Sequence, residues 1–376
     1  MRGIRPRIGW ETFTQCGVAD MLRPMPGRIA LITPFGPPAV RGNAVTVARI
    51  ALGLAERGID LRVWDLSAAT SATIESEIEA YRPALVHAFH AHRTGPLAAR
   101  LAHRVEASLV VTLTGTDVNQ DLVSVETAPA IKEVLERADR ITMFHQSVRD
   151  RVVTALPSLG RRLVVIAQAV RLPASHVFDF PRDWPLPARA TLFVFPAGLR
   201  AVKNPSFPLA PLGRLVKAIP EIRLLYAGPV LEPAVGRALH EALSTTPWAR
   251  HVGVVPHAQM ASLLSRTDVV LNCSVSEGGM ANSVLEALSL GRAVLASDID
   301  GNRSLVVDGS TGFLFRDEAE FERRAGELAG DPALRERLGR AGAAMVRDRF
   351  SPAREIDGYG ELYRELIAER RLRSVG

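Results

Sequence analysis

From residue 28 onward the chain alternates short, mostly apolar runs with longer amphipathic stretches, and the alternation breaks only once. A strand that is apolar at every position has no face for water, so both of its faces must be covered. Strands of that kind, separated by helix-length segments, build a parallel sheet with helices packed on either side. The runs at 29–33, 61–64, 85–88, 109–113, 141–144 and 164–166 read as strands of a first unit, with helices over 43–56, 73–81, 95–105 and 130–138. Residues 172–190 interrupt the rhythm with Pro173, Pro181, Pro185 and Pro187 and read as a linker. The alternation then resumes, with strands at 192–196, 223–226, 251–255, 269–273 and 293–295 and helices at 205–218, 233–243, 259–265 and 282–290. Helical stretches at 318–329 and 332–349 follow, and Ser351-Pro352, a cap residue with proline at the first helical position, opens a last helix. The expected fold class is therefore α/β, with two doubly wound, Rossmann-like parallel-sheet domains at 28–171 and 191–350 facing a cleft. Residues 351–376 form a terminal helix, and residues 1–27 an extension outside the pattern, with Met25 as an alternative start.

The 376 residues suffice for two domains with full cores. Hydrophobic and charged contents of 47% and 23% indicate a soluble globular chain, and no apolar run is long enough to span a bilayer. The first residues hold no apolar signal core. Cys16 and Cys273 alone make neither a disulfide framework nor a zinc site, so a cytoplasmic location is the default expectation. The net charge of +6 suits a phosphorylated substrate, a nucleic acid or an anionic membrane face. No basic run is interleaved with aromatics, which argues against nucleic acid. Lysine occurs only as Lys132, Lys203 and Lys217.

The most chemically suggestive element lies between Ser274 and Gly291. A strand-like run leads into a loop holding Glu277, Gly278 and Gly279, and a helix carrying Asn282, Ser283 and Glu286 leads out. The glycines let backbone approach a ligand, and the open N–H groups of a helix start favour an anion. With Glu286 on the first helical turn, both acids can face one crevice, which suits a ligand carrying phosphate and hydroxyls, such as a sugar nucleotide. A structural reading stands beside this one: Ser283-x-x-Glu286 fits a capping box, and Glu277 alone fits a solvated loop acid. A second piece, 197–204, follows a strand and places Gly198, Arg200 and Lys203 at its C-terminal edge, where ligands of open α/β sheets bind. A third, 295–302, is another strand end with glycine. In the first unit, Gly42 and Asn43 join the first strand to the first helix, and Thr114, Thr116 and Asp117 follow the fourth strand. His87, His90 and His92 line the end of the third. His90 and His92 share a face, yet without a third ligand they do not amount to a metal site. Asp298-x-Asp300 lies in the wrong unit for a metal role in sugar transfer.

These residues resemble glycosyltransferase family 4, of the GT-B fold. The resemblance covers most of 28–371 and centres on 267–312. There Ser274, Glu277-Gly278, Glu286-Ala287, Gly291, Asp308-Gly309 and Thr311-Gly312 fall in family order. Within the family the chain most resembles the glycosyltransferase 1 domain-containing type, through Gly42-Asn-Ala-Val-Thr46, Gly115-Thr-Asp-Val-Asn119, Gly198-Leu-Arg-Ala-Val-Lys203 and Ser274-Val-Ser-Glu-Gly278. It is also similar to selenosugar synthases, through Gly42-Asn43, Thr114-Gly-Thr-Asp117 and Gly301-Asn302.

The resemblance implies retaining transfer from a nucleotide sugar, UDP-linked before GDP- or ADP-linked, to a small-molecule or glycan acceptor, with no required cofactor or metal. It gives Arg200, Lys203 and Glu277 the catalytic positions. Arg200 and Lys203 would neutralise the leaving diphosphate, while Glu277, Gly278 and Gly279 hold the donor sugar. Glu286 would take ribose hydroxyls, and Gly42, Asn43, Gly198, Asn282 and Ser283 would complete the donor site. His90, Thr114 and Asp117 fall on the acceptor side, and the last helix would cross back onto the first domain. The sequence departs from the family in having eight residues between the glutamates instead of seven, and Thr114 where a histidine is frequent. Alternative readings are a selenosugar synthase joining a UDP-sugar to selenophosphate, a sugar-nucleotide epimerase, and a non-catalytic sugar-nucleotide binder. The donor, the acceptor and the oligomeric state are not legible.

Overall fold

The computed structural model describes residues 27–37, 42–173, 176–184, 186–277 and 279–375, with residues 374 and 375 described by backbone alone. The expected N-terminal extension, except Gly27, lies outside these residues, as does Gly278.

The first domain runs β1 Ile29–Thr33, α1 Gly42–Glu56, β2 Leu61–Asp65, α2 Ser71–Tyr81, β3 Leu85–Phe89, α3 Gly95–Arg104, β4 Ser108–Thr112, α4 Ala128–Arg137, β5 Arg140–Met143, α5 Gln146–Ala155 and β6 Leu163–Val165. The strands pair in parallel in the order β2-β1-β3-β4-β5-β6. Strands β1, β3 and β4 are buried at every position, as their mostly apolar sequences favour, and His87, Ser108 and Thr112 are buried along with them.

The second domain runs β7 Thr191–Phe195, α6 Leu209–Val216, β8 Ile222–Tyr226, α7 Pro233–Ser244, β9 Ala249–His251, α8 His257–Ser265, β10 Val269–Asn272, α9 Asn282–Ser289, β11 Ala293–Ser297, α10 Asp300–Arg303, β12 Phe313–Phe315, α11 Glu318–Gly330 and α12 Pro332–Arg349. Its sheet is also parallel, in the order β12-β11-β10-β7-β8-β9. The strand expected over 251–255 is instead a coil after β9. Gly253 there has φ +72°, a left-handed conformation that ends the extended run. Helix α5 and strand β12 were not anticipated.

One segment departs from its sequence reading in how firmly it packs. The proline-rich stretch lacks regular structure, yet Phe178 and Trp184 sit in the second domain's core, and the Trp184 indole N–H donates to the Pro247 carbonyl at 3.0 Å. Helix α13, Pro352–Val375, leaves the second domain and packs on β1, α1 and β3 of the first through Tyr359, Tyr363 and Leu366. Arg49 of α1 grips Glu355 with two bonds of 2.8 Å, both groups almost fully buried. Gly53 is required at this crossing, because a Cβ there would meet Ile356 at 2.5 Å.

The strand orders decide where the site lies. Each sheet reverses its winding direction once, between β1 and β3 in the first and between β7 and β10 in the second. Loops at the C-terminal ends of strands flanking such a reversal part to opposite sides and leave a crevice.

Candidate active site

Both crevices open onto one interdomain cleft of about 300 Å³. The loops after β1 and β3 supply Gly42, Asn43 and His90, and the loop after β4 supplies Thr114. The loop after β7 supplies Gly198, Arg200 and Lys203, and the loop after β10 leads to Glu277, Gly279, Asn282, Ser283 and Glu286. Among the described residues, every expected site residue except Asp117 lines this space.

Glu277 and Lys203, assigned from sequence to the sugar and the diphosphate, are ion-paired. The carboxylate's Oε1 takes the Lys203 ammonium, the Ser274 hydroxyl at 2.7 Å and the Asn272 amide at 3.3 Å. Burial by itself would raise this carboxyl, but the Lys203 charge and the donated hydrogen bonds outweigh it and hold Glu277 below the ordinary range. All three bonds fall on one oxygen, so Oε2 is left to accept from a ligand. The ammonium likewise keeps two further N–H donors. Arg200, half-buried, has no side-chain hydrogen bond or ion pair among the described residues.

The segment 295–302, expected to line the ligand, instead braces the Glu277 loop from behind. Ser297 Oγ donates to the Ser274 carbonyl at 2.5 Å, and Asn302 donates to the Ser297 carbonyl at 2.9 Å. A Cβ on Gly301 would meet the Glu277 Cβ at 2.5 Å, so only glycine lets the two loops close. Asp298 and Asp300 are both bound by Arg303.

Glu286 is not a capping residue. Helix α9 starts at Asn282, its N-cap Ala281 makes no side-chain bond, and Glu286 is its fifth residue, beyond the first turn. Its Oε1 accepts from His257 Nε2 at 2.8 Å, and the side chain is 9% exposed. His257, the first residue of α8, lines the cleft and was missed in the sequence, where a lone histidine after proline carries no signal. The uncapped start of α9 leaves the Asn282 and Ser283 N–H groups without partners among the described residues, an arrangement that favours an anion. Asn282 reaches the first domain: its amide donates to the Gly42 carbonyl at 3.2 Å and accepts from Gln168 at 2.6 Å.

On the first domain's wall Thr114 Oγ1 accepts from Asn43 at 3.3 Å. His90 has φ +91°, rare for a side-chain-bearing residue and a sign of local strain. Its Nδ1 accepts from the Arg93 N–H at 3.3 Å, so Nε2 carries the proton and donates to Thr116 Oγ1 at 2.9 Å. Burial, only partly opposed by Asp117, lowers its pKa. Asp117 turns inward instead of facing the cleft: its carboxylate accepts from the backbone N–H groups of Ala91, Thr114 and Gly115 at 2.6–3.1 Å. His87 does not line the strand end either. It is buried between Tyr363 and Thr112, each at 2.6 Å, and burial pulls its pKa down to about 3. His92 Nδ1 lies 3.5 Å from Asp121. Among the described residues no three His, Cys, Asp or Glu side chains group as metal ligands. None of their helices is long and apolar enough to cross a membrane.

Comparison with known proteins agrees with this geometry. The family described as glycosyl transferases group 1 matches residues 190–331, which include the whole Glu277–Glu286 element. The glycosyltransferase 1 domain-containing protein 1 of Xenopus tropicalis is 25% identical over 329 residues, covering 85% of this chain and 93% of that protein. The putative glycosyltransferase EpsD of Bacillus subtilis is 30% identical over 174 residues, 46% of this chain and 45% of its own. Among solved structures, sucrose-phosphate synthase from Thermosynechococcus elongatus superimposes with a TM-score of 0.75 at 18% identity, over 92% of this chain and 100% of its own. Anabaena HepE in complex with UDP and glucose does so with a TM-score of 0.72 at 16% identity, over 90% and 100%. The match to the glycosyl transferases group 1 family thus lies in the second domain, at residues 190–331, and the two parallel-sheet domains share the GT-B fold of these solved neighbours.

Proposed function

We propose that the cleft transfers a sugar from a nucleotide-sugar donor to a hydroxylated acceptor with retention of anomeric configuration. The observation that carries this reading is the Lys203–Glu277 pair beside an unpartnered Arg200 and the uncapped start of α9. Arg200, the remaining Lys203 donors and the α9 N–H groups converge where a diphosphate would gather charge as the glycosidic bond breaks. The departing diphosphate takes the bonding electron pair. The acceptor oxygen attacks the same face of the anomeric carbon, and its proton passes to a diphosphate oxygen, so no enzymic nucleophile is needed. Glu277 Oε2 accepts from sugar hydroxyls, and Glu286, steadied by His257, accepts from the ribose. UDP-sugars are the first donors to test, because HepE, a neighbour of the same fold, holds UDP and glucose.

A thermal-shift screen of UDP, GDP and ADP tests the donor half. A nucleotide at a hundred times its Kd stabilises the native state by about 2.7 kcal/mol. One nucleotide should raise the melting temperature of the wild type and fail to do so in Arg200→Ala. No response to any of the three, or an undiminished response in that variant, would overturn the assignment.

A further inference from the structure

The cleft holds a positive charge outside the proposed donor site. Arg93, in the loop after β3, is exposed and lines the cleft from the first domain. Its guanidinium makes no ion pair or side-chain hydrogen bond among the described residues and lies over the Phe35 ring at 5.5 Å. Stacking on an aromatic face orients a planar guanidinium while leaving its in-plane N–H fork open. Its backbone N–H bonds to His90, so imidazole and guanidinium are held on one short segment.

The charges around it favour an anion. Asp117, which also faces His90, is fully engaged by backbone N–H groups. Asp121 lies 3.5 Å from His92 and 4.0 Å from His90. Neither aspartate lines the cleft, whose only carboxylates among the described residues are Glu277 and Glu286 on the opposite wall. The rest of the first domain's polar wall is neutral, with Asn43, Thr114, Thr116, Asn119 and Gln120 offering hydroxyls and amides. On the proposed reading of the cleft, the donor's phosphates are met by Arg200, Lys203 and the start of α9. Arg93 therefore remains for a second anion.

We infer that the acceptor is a hydroxylated small molecule bearing an oxyanion, a phosphate monoester or a carboxylate, and that Arg93 grips it bidentately while a neighbouring hydroxyl is presented to the donor. The inference rests on the glycosyltransferase reading of the same cleft.

The test uses the full chain saturated with whichever nucleotide binds, titrated calorimetrically with inorganic phosphate and, separately, with acetate. At least one anion should bind the nucleotide-loaded wild type, and the tighter of the two gives the chemical class. Arg93→Gln should weaken that anion about tenfold, the scale of a lost charge-assisted bidentate contact, while leaving nucleotide affinity unchanged. Arg200→Gln should do the reverse. The variant side chain is exposed, and an unchanged melting temperature certifies the fold. Nucleotide binding with no anion response, or with a response insensitive to Arg93→Gln, would overturn this inference and leave the donor reading intact. Failure of every nucleotide to bind would remove both.

Discussion

The two walls of the cleft are built on the same strand–loop–helix plan but stabilised differently. On the second domain's wall, charged side chains hold one another: Lys203 with Glu277, Glu286 with His257. On the first domain's wall, neutral hydroxyl and amide groups predominate, and the one buried acid, Asp117, is used up shaping a loop. A wall that must meet a fixed diphosphate and ribose benefits from rigid, paired charge. A wall for a particular acceptor is instead a scaffold on which neutral groups are arranged. On the proposed reading, paired charges suit the wall that meets the donor, and neutral groups with a single guanidinium, Arg93, suit the wall that meets the acceptor.

The strongest way to break this contrast is at the paired charges. Lys203→Ala and Glu277→Ala should each lower kcat/KM by about a thousandfold, the upper range for losing a preorganised transition-state charge. Because the two groups act as a unit, the double variant should lose little more than either single. Steady-state transfer assays in which the losses multiply would show that the pair is incidental. Next in size is acid sensitivity. Burial pulls His87 down to about 3 and His145 to about 4, against 6.5 in the unfolded chain. Below 6.5 the unfolded chain binds protons that the folded one refuses. The stability these groups contribute is thus whole above 6.5 and falls as pH drops toward 4. Each histidine accounts for up to about 1.4 kcal/mol per pH unit. Both lie in the first domain. Glu277, with its pKa depressed, keeps its contribution above the ordinary carboxylate value and loses it as pH falls from there through its own lower pKa. Urea unfolding at successive pH values should show the slope, and His87→Gln should reduce it; a curve flat from 7 to 4 would contradict the burial argument.

A smaller effect sharpens the role of His257. His257→Asn should raise the donor KM by about tenfold with kcat little changed, because it steadies a group that binds ground and transition states alike. An unchanged donor KM would mean that Glu286 needs no partner. Smallest of all, Ser283→Ala should alter unfolding free energy by less than about 0.5 kcal/mol, whereas a true capping box would lose about 1 kcal/mol.

Much of the second domain's wall of the cleft was legible before the fold was known. Arg200, Lys203, Glu277 and Glu286 are charged residues at strand ends and helix starts, and parallel α/β sheets bind ligands there. The first domain's wall was harder to read. Asp117 appeared to face the cleft because it follows the fourth strand, but an aspartate five residues past a strand can also fold back onto nearby N–H groups, as it does here. His87 appeared available for the same reason, until Tyr363, 276 residues away, covered it. The proline-rich stretch was read as a linker because it lacks periodicity, yet the burial of Phe178 and Trp184 depends on neighbours no local pattern specifies.

The sequence by itself determined two parallel sheets, their helices and the loops that carry charge. Backbone hydrogen bonding and the period of apolar residues are properties of neighbouring positions. Only the tertiary structure decided which charge meets which. Lys203 finds Glu277 across 74 residues and His257 finds Glu286 across 29, because the reversal of strand order brings those loops to one edge. Pair formation of that kind depends on distance in space, and no spacing along the chain encodes it.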